Sequence, residues 1–394
     1  MSTASRSTVV ITWAEGISSL CAVRSLARKG VKVVATSSNP HATGFYSRYV
    51  VGRILLPSYT TQYSQYKEAL LRLCKRNDIL TVMAFTECDA YILCTYRDEL
   101  TPYVKTLWPC KETFEHVRDR TTLLHLAQDA GVCVPRTRKF SDWKDWSAPC
   151  VIKSRYSVIE IDNGLLYHPP IYISANKPPD RESIILKMKH DPIVQERIIG
   201  PEYGFFALFN EGKMRASFQH QRIISQDYRG GASVLRKSVY SKELEDLGTR
   251  LLQSMKWHGP AMVEFKLDVR DGKFKLMEIN PRFWRSLNLA VEAGVNFPYL
   301  CYIIAKTGDC EPVYDYKQNI FSQYLVGEIQ HFMKLAMSRT DAGQRRPSML
   351  GEMRTVLRTL RYSKFDVLDR RDPAPAVMDL PLLAIEASKI HHSR

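Results

Sequence analysis

No run of about 18 or more apolar residues occurs in the 394-residue chain, so no conventional membrane-spanning helix is expected. The nine cysteines are scattered and odd in number, and no two stand at C-x-x-C spacing. That argues against a disulfide framework or a structural zinc site. Cys88 and Cys133 read as ordinary buried thiols. There is no aromatic-rich nucleic-acid module and no zinc-finger spacing, so no nucleic-acid partner is expected. Internal repeats and low-complexity tracts are absent too. Glycine is scarce in one place that matters below: Ser154 to Val194 holds only Gly164. The opening Val9-Val10-Ile11 is too brief for a signal peptide, and a cytoplasmic location is expected.

What is present is ordinary for a globular protein: 45% apolar and 25% charged residues. The length suggests roughly two to four packed domains. Lys and Arg number 56 against 41 Asp and Glu, a net charge of +15 that favours anionic partners without choosing among them.

Thr8 to Trp13 is a β-branched, apolar strand. A turn containing Gly16 follows, then helical spacing over Leu20 to Lys29 and a second strand, Val31 to Thr36. This βαβ opening implies a parallel sheet. Tyr66 to Arg76 is a further helix and Leu80 to Phe85 a buried strand, which ends in Thr86-Glu87-Cys88-Asp89. The carboxyl end of such a strand is where open α/β sheets bind ligands, making Glu87 a candidate substrate contact. The same four residues equally spell a helix N-cap. Phe114 to Gly131 reads as a helical connector, Pro149 to Ser154 as a strand, and Asp180 to Val234 as mainly strands and turns. A helix over Ser241 to Met255 precedes two strands, Ala261 to Val269 and Lys273 to Ile279, joined by the hairpin signal Arg270-Asp271-Gly272. Beyond Pro312 helical patches are expected.

The hairpin carries the strongest chemical signal. Glu278 and Asn280 are two apart and share one strand face, and Glu264 can sit across from them. Two carboxylates and an amide oxygen suit magnesium, which prefers hard oxygen ligands and leaves room for phosphate oxygens. Arg282, just past the strand, could reach the same phosphates.

The string Met277-Glu278-Ile279-Asn280-Pro281-Arg282-Phe283, with Glu264 before it, resembles the closing motif of the ATP-grasp superfamily. Val194 to Glu202 looks like the segment that holds adenine through its backbone, here Gln195, Glu196, Arg197 and Ile198, with Glu202 on the ribose. Lys153, after Val151-Ile152, and Arg120, after Asp119, resemble the basic residues that contact phosphate. Arg222, in Gln219-His220-Gln221-Arg222, matches a basic position facing the transferred phosphoryl group. A closer resemblance is to predicted carboxylate–amine ligases and D-aspartate ligases. It rests on Asn280 to Leu287, on Ala293 to Tyr299, on Gly230-Gly231-Ala232-Ser233 and on Arg370-Arg371-Asp372-Pro373. From these strings Gly230, Gly231, Ser233, Arg285 and Ser286 are candidate substrate contacts.

The resemblance implies an α/β and α+β multidomain ATP-grasp fold. Its expected units are a Rossmann-like parallel-sheet domain over 1–112, a small central domain over 113–192, a domain with the metal site over 193–310, and a helical extension over 311–394. It implies ATP with Mg²⁺, or Mn²⁺ in its place, and amide formation through an acyl phosphate, with Arg282 and Arg222 as catalytic residues. The expected substrates are a small carboxylate and an amine, such as an amino acid joined to a sugar or to another amino acid, and a homodimer is conceivable. Such chemistry is mostly positioning and charge neutralisation. One departure stands out: the family's glycine-rich loop after the strand lysine is missing, leaving Tyr156, Ser157 and Asn163 as substitute donors. Two other readings stay open, an enzyme that uses bicarbonate and a non-catalytic nucleotide- or polyanion-binding protein. Arg345 to Lys364 holds six basic residues and one acid, with Arg354, Arg358 and Arg361 on one helical face. This helix could touch an anionic membrane surface, or dock on the body with its basic face solvated.

Overall fold

The computed structural model describes residues 6–161, 164–188, 191–227, 230–337 and 346–381. Asn163 and Arg345 lie outside them. The chain opens as a parallel sheet of β1 (Thr8–Ile11), β2 (Lys32–Ser37), β3 (Gly52–Leu55) and β4 (Ile79–Met83), in the order β3-β2-β1-β4. Helices α1 (Ile17–Ala27), α2 (Tyr63–Cys74), α3 (Glu87–Thr95) and α4 (Arg97–Leu100) accompany it. β1 and β4 are buried on both faces, as strands of a parallel sheet covered by helices are, whereas the edge strand β3 alternates between half-buried and exposed residues.

Two helices, α5 (Lys111–Arg118) and α6 (Arg120–Asp129), connect this unit to the next, and Asp119 caps α6 by accepting from the Thr121 and Thr122 amides. A small antiparallel sheet then forms from β5 (Thr137–Lys139) and β6 (Cys150–Lys153). A separate two-stranded hairpin, β7 (Ile159–Ile161) with β8 (Gly164–Leu166), interrupts it before β9 (Ile171–Ile173), α7 (Arg181–Met188) and β10 (Ile193–Glu196). The expectation of mainly strands and turns from Asp180 onward missed α7, whose Ile184 and Met188 pack under the small sheet.

The largest sheet has seven strands in the order β15-β14-β11-β12-β13-β16-β17. It is built from β11 (Glu202–Asn210), β12 (Lys213–Asp227), β13 (Gly230–Ser238), β14 (Gly259–Leu267) and β15 (Phe274–Asn280). Helix α8 (Lys242–Ser254) packs on β11 with Leu244, Leu251 and Leu252, under the Ser241 N-cap. The last strands, β16 (Phe321–Gln323) and β17 (Ser363–Phe365), come from the region expected to be a helical extension. That expectation is corrected: besides α11 (Leu325–Met337), α12 (Met349–Leu360) and α13 (Ala374–Asp379), residues 311–381 complete the main sheet.

The same region is fastened to the first unit. Asp372 is buried and accepts from Arg24 Nε at 2.9 Å, Ser47 Oγ at 2.7 Å and the Arg48 amide at 2.9 Å. Helix α12 docks through Glu352 on His331 and Thr359 on Gln323. Arg354, Arg358 and Arg361 are exposed, as are Leu350, Met353 and Leu357. Two helices after the main hairpin, α9 (Leu287–Ala293) and α10 (Phe297–Thr307), are largely buried. Among the described residues no single helix is long and apolar enough to cross a membrane.

Candidate active site

β14 and β15 pair antiparallel through the turn at Gly272, whose φ of +68° suits glycine. Their register sets Glu264 directly opposite Glu278. Asn280, two residues on, donates from Nδ2 to Glu278 Oε1 at 3.0 Å, while its Oδ1 accepts from Arg282 at 3.0 Å. The chain leaves β15 through Pro281 to Ser286, a segment anchored by two fully buried aromatic rings. Phe283 stacks on Phe85 of the first unit with centroids 5.0 Å apart, and Trp284 lies 4.4 Å from Phe206 of the main sheet. With the aromatic residues turned into the core, Arg282 and Arg285 face a cleft of about 470 Å³ between the small and main sheets.

One wall of this cleft comes from the small sheet. Lys153 Nζ donates to Gln195 Oε1 at 2.8 Å, and Gln195 Nε2 donates to Thr137 at 3.1 Å. Arg120 donates to the Ser154 carbonyl at 2.8 Å, which brings it alongside Lys153. Burial, and then the neighbouring Arg120, pushes the Lys153 amine down to about 8. Gln195, Glu196, Arg197 and Ile198 also line the cleft. The Glu196 carboxylate is engaged elsewhere, by the Arg136 amide at 2.8 Å and Arg270 at 3.2 Å, and the Glu196 amide donates to the Arg136 carbonyl at 2.9 Å.

The facing wall comes from the main sheet. Arg222 on β12 joins Glu264 at 2.7 Å and Glu202 at 3.1 Å, and Lys266 holds Glu202 at 2.9 Å. Burial pushes the Glu202 carboxyl up, but Arg222 and Lys266 outweigh it and hold it below the usual range. Burial pushes Glu264 up, with Glu278 opposite adding to the effect against Arg222. For Glu278, Arg120, the Asn280 hydrogen bond and Lys153 outweigh burial and bring it down. Gly230 and Gly231, with φ of +143° and +107°, turn the chain into β13, and a Cβ on Gly230 would lie 3.0 Å from the Tyr172 hydroxyl.

Sixteen of the eighteen residues singled out from sequence therefore line one cleft. Asn280 sits just behind it, on Glu278 and Arg282. The exception is Glu87, which is corrected: it occupies the first turn of α3, where Thr86 and Asp89 form a reciprocal capping box, and it accepts from Ser157 Oγ. Tyr156 and Ser157 are corrected as well. Tyr156 lies against Arg118 and Arg155, and Ser157 donates its amide to the Arg118 carbonyl and its hydroxyl to Glu87, so Tyr156 packs on the end of α5 and Ser157 between α5 and α3.

Sequence reasoning missed Lys266, although it shares a strand face with Glu264 two positions away. It also passed over His220, inside the quoted Gln219-His220-Gln221-Arg222 string. His220 lines the cleft fully buried, with neither ring nitrogen partnered among the described residues, and burial keeps the imidazole neutral.

The donor set fits a magnesium ion. Glu264 and Glu278 offer hard oxygens from opposite strands, and Glu278 has no ion pair among the described residues. Among the described residues no cluster of three or more His, Cys, Asp or Glu side chains is arranged to hold a metal. A metal at this place would therefore share its coordination with ligand oxygens, as magnesium does.

Residues 189–331 match the family described as ATP-grasp in the biosynthetic pathway with Ter operon. No curated protein matches the chain. Among solved structures it is similar to N5-carboxyaminoimidazole synthetase from Staphylococcus aureus, with 17% identity, a TM-score of 0.59, and 79% of this chain and 80% of that one covered. It is similar to an L-amino acid ligase from Bacillus licheniformis, with 16% identity, a TM-score of 0.56, and 76% and 74% covered. Biotin carboxylase from Campylobacter jejuni is a further neighbour, at 14% identity, a TM-score of 0.59, and 80% and 74% covered. The two-sheet cleft, its carboxylate hairpin and these likenesses together show that the chain has the ATP-grasp fold.

Proposed function

We propose that the protein is an ATP-dependent ligase of the cytoplasm that joins a small carboxylate to an amine through an acyl phosphate, releasing ADP and phosphate. The observation that carries the reading is the Glu264–Glu278 pair at one register, with Arg282 beside it, facing Lys153 and Arg120 across a single cleft. Structures similar to this chain include an L-amino acid ligase and a carboxyaminoimidazole synthetase complexed with ADP, which support a nucleotide between the two sheets.

In this reading the backbone over 195–198 holds adenine, and Glu202 offers its remaining lone pairs to the ribose hydroxyls. Lys153 and Arg120 hold the phosphates. Glu264 and Glu278 hold Mg²⁺, which when bound neutralises phosphate charge. Arg282 and Arg222 stabilise the charge that develops as the carboxylate attacks phosphorus and as the amine later displaces phosphate.

A second reading, bicarbonate as the activated carboxylate, is favoured by the carboxylase neighbours, one of which is in complex with MgADP and bicarbonate. The two are separated by measuring ADP release with Mg-ATP across a panel of carboxylates and amines, with and without bicarbonate. Amine-dependent ADP release that is lost in Glu278→Gln supports the ligase. Release that depends on bicarbonate alone supports the second reading. ATP binding without any turnover would reject both.

A further inference from the structure

We infer that the outer face of helix α12 is a membrane-contacting surface, which holds the protein to bilayers carrying anionic phospholipids. The inference stands on this helix and does not depend on the ligase reading.

Helix α12 is fastened to the body by one side. Glu352 meets His331 of α11 at 2.7 Å, and Gln323 of β16 donates to Thr359 at 2.8 Å and to the Val356 carbonyl at 3.3 Å. Val356 packs against the apolar cluster that holds Tyr324 and Val367. Arg346 anchors the entry to the helix by donating to the Leu335 carbonyl, and the pairing of β17 with β16 anchors the exit. Glu352, Val356 and Thr359 share one face at 3.6 residues per turn, which leaves the other two thirds of the surface outside. No residue of the helix is buried.

Two stripes run along that outer surface. Leu350, Met353, Leu357 and Leu360 recur at helical spacing and form a ridge about 15 Å long within an arc of roughly 80°. They are 66%, 41%, 65% and 38% exposed, although an amphipathic helix that only closed a core would turn such residues inward. Arg354, Arg358 and Arg361 form the adjoining stripe and are exposed as well. None of the three makes an ion pair among the described residues, and the one acid of the helix, Glu352, faces inward onto His331. Arg361 lies 5.1 Å from the centroid of the Tyr362 ring, which is 64% exposed just past the helix end.

An anionic bilayer satisfies both stripes together. Leucine and methionine enter the acyl boundary, the arginines beside them reach lipid phosphates, and tyrosine suits the headgroup level. A second copy of this chain would cover the leucines but bring no acid to the arginines, because its own Glu352 is turned inward too. The net charge of +15 repels such a copy and draws the protein towards an anionic surface. The helix is already folded and tied at both ends, so docking orders little that was free.

The test is flotation of the full-length protein with vesicles of phosphatidylcholine alone, or with about a third of the lipid replaced by phosphatidylglycerol. Partitioning onto the anionic vesicles should be tenfold or more stronger at about 0.1 M salt and should weaken several-fold at about 0.5 M. Leu350→Ser combined with Leu357→Ser should lower it tenfold or more, and so should the triple change Arg354→Gln, Arg358→Gln and Arg361→Gln. Both variants should melt with wild type, since every altered side chain is exposed. Equal partitioning onto the two kinds of vesicle overturns the inference. So does binding that survives the leucine changes, which would be adsorption of a basic protein without insertion. Absence of vesicle binding overturns it as well. In that case light scattering that shows a dimer lost in Leu357→Ser would assign the ridge to a second copy, and a monomer would leave it to an acidic protein partner.

Discussion

Replacing Arg222 by methionine keeps most of the side-chain stem and deletes the charge between two acids. Arg222 is 11% exposed in its side chain, and the carboxylates it holds, Glu202 and Glu264, are 22% and 20% exposed. Removing one member of a mostly buried pair costs about 3–5 kcal/mol, because the charge left behind is already desolvated. Lys266 stays with Glu202 at 2.9 Å, so the penalty falls mainly on Glu264, which then faces Glu278 alone. The lower end, about 3 kcal/mol, is expected. Adding Glu264→Gln removes the stranded charge, so the double variant should recover about 2 kcal/mol relative to additivity. Denaturant unfolding of the four proteins at pH 7.5 measures this. Mg²⁺ should also stabilise Arg222→Met more than wild type, since a cation returns to the vacated place between the acids. Turnover of the variant should fall by a factor of about 100 or more, the usual effect of losing a group aimed at developing charge. A destabilisation below about 1 kcal/mol, with a strictly additive double variant, would show that Arg222 is not what makes the acid pair tolerable.

Glu202 should discriminate ATP from 2′-deoxy-ATP by about 1.5 kcal/mol, and calorimetry with Glu202→Gln should show the difference narrowing. Glu328 is 3% exposed, and burial, opposed by Arg236, pushes its carboxyl up to about 8. A raised folded value means that its contribution is fully present below the ordinary carboxylate range and is lost as pH rises through about 8. Glu328→Gln should therefore gain little over wild type near pH 4.5 and melt at a clearly higher temperature once the pH passes about 8, and an equal difference in melting temperature at both ends would refute it. Asp372→Ala should cost about 3 kcal/mol by stranding Arg24, and limited proteolysis should then release the segment after β17 more readily.

The parts of this structure that were legible in the sequence are those where local pattern and contact coincide. The βαβ opening shows its alternation of strand and helix. The β14–β15 hairpin shows its turn and its two acids at a spacing that register converts into contact. The segment from Gln195 to Glu202 could be placed because it runs directly from β10 into β11. Illegible parts depend on distant partners. β16 and β17 have three residues each, too few for a period, and exist because the edge of β13 offers hydrogen bonds to β16 and β16 in turn offers them to β17. The Arg370-Arg371-Asp372-Pro373 string could be recognised but not explained until Asp372 met Arg24, 348 positions away. Glu87 failed for a local reason: an acid after a buried strand also suits a helix N-terminus, and the capping box of Thr86 and Asp89 took it.

The central claim is that a substrate carboxylate is activated as an acyl phosphate in the cleft between Lys153 and the Glu264–Glu278 pair. Substrate labelled with oxygen-18 in that carboxylate, incubated with Mg-ATP and amine, should give ADP together with inorganic phosphate carrying one labelled oxygen per amide formed, analysed by mass spectrometry or by the phosphorus-31 isotope shift. Label recovered in AMP, or unlabelled phosphate accompanying amide synthesis, would contradict it.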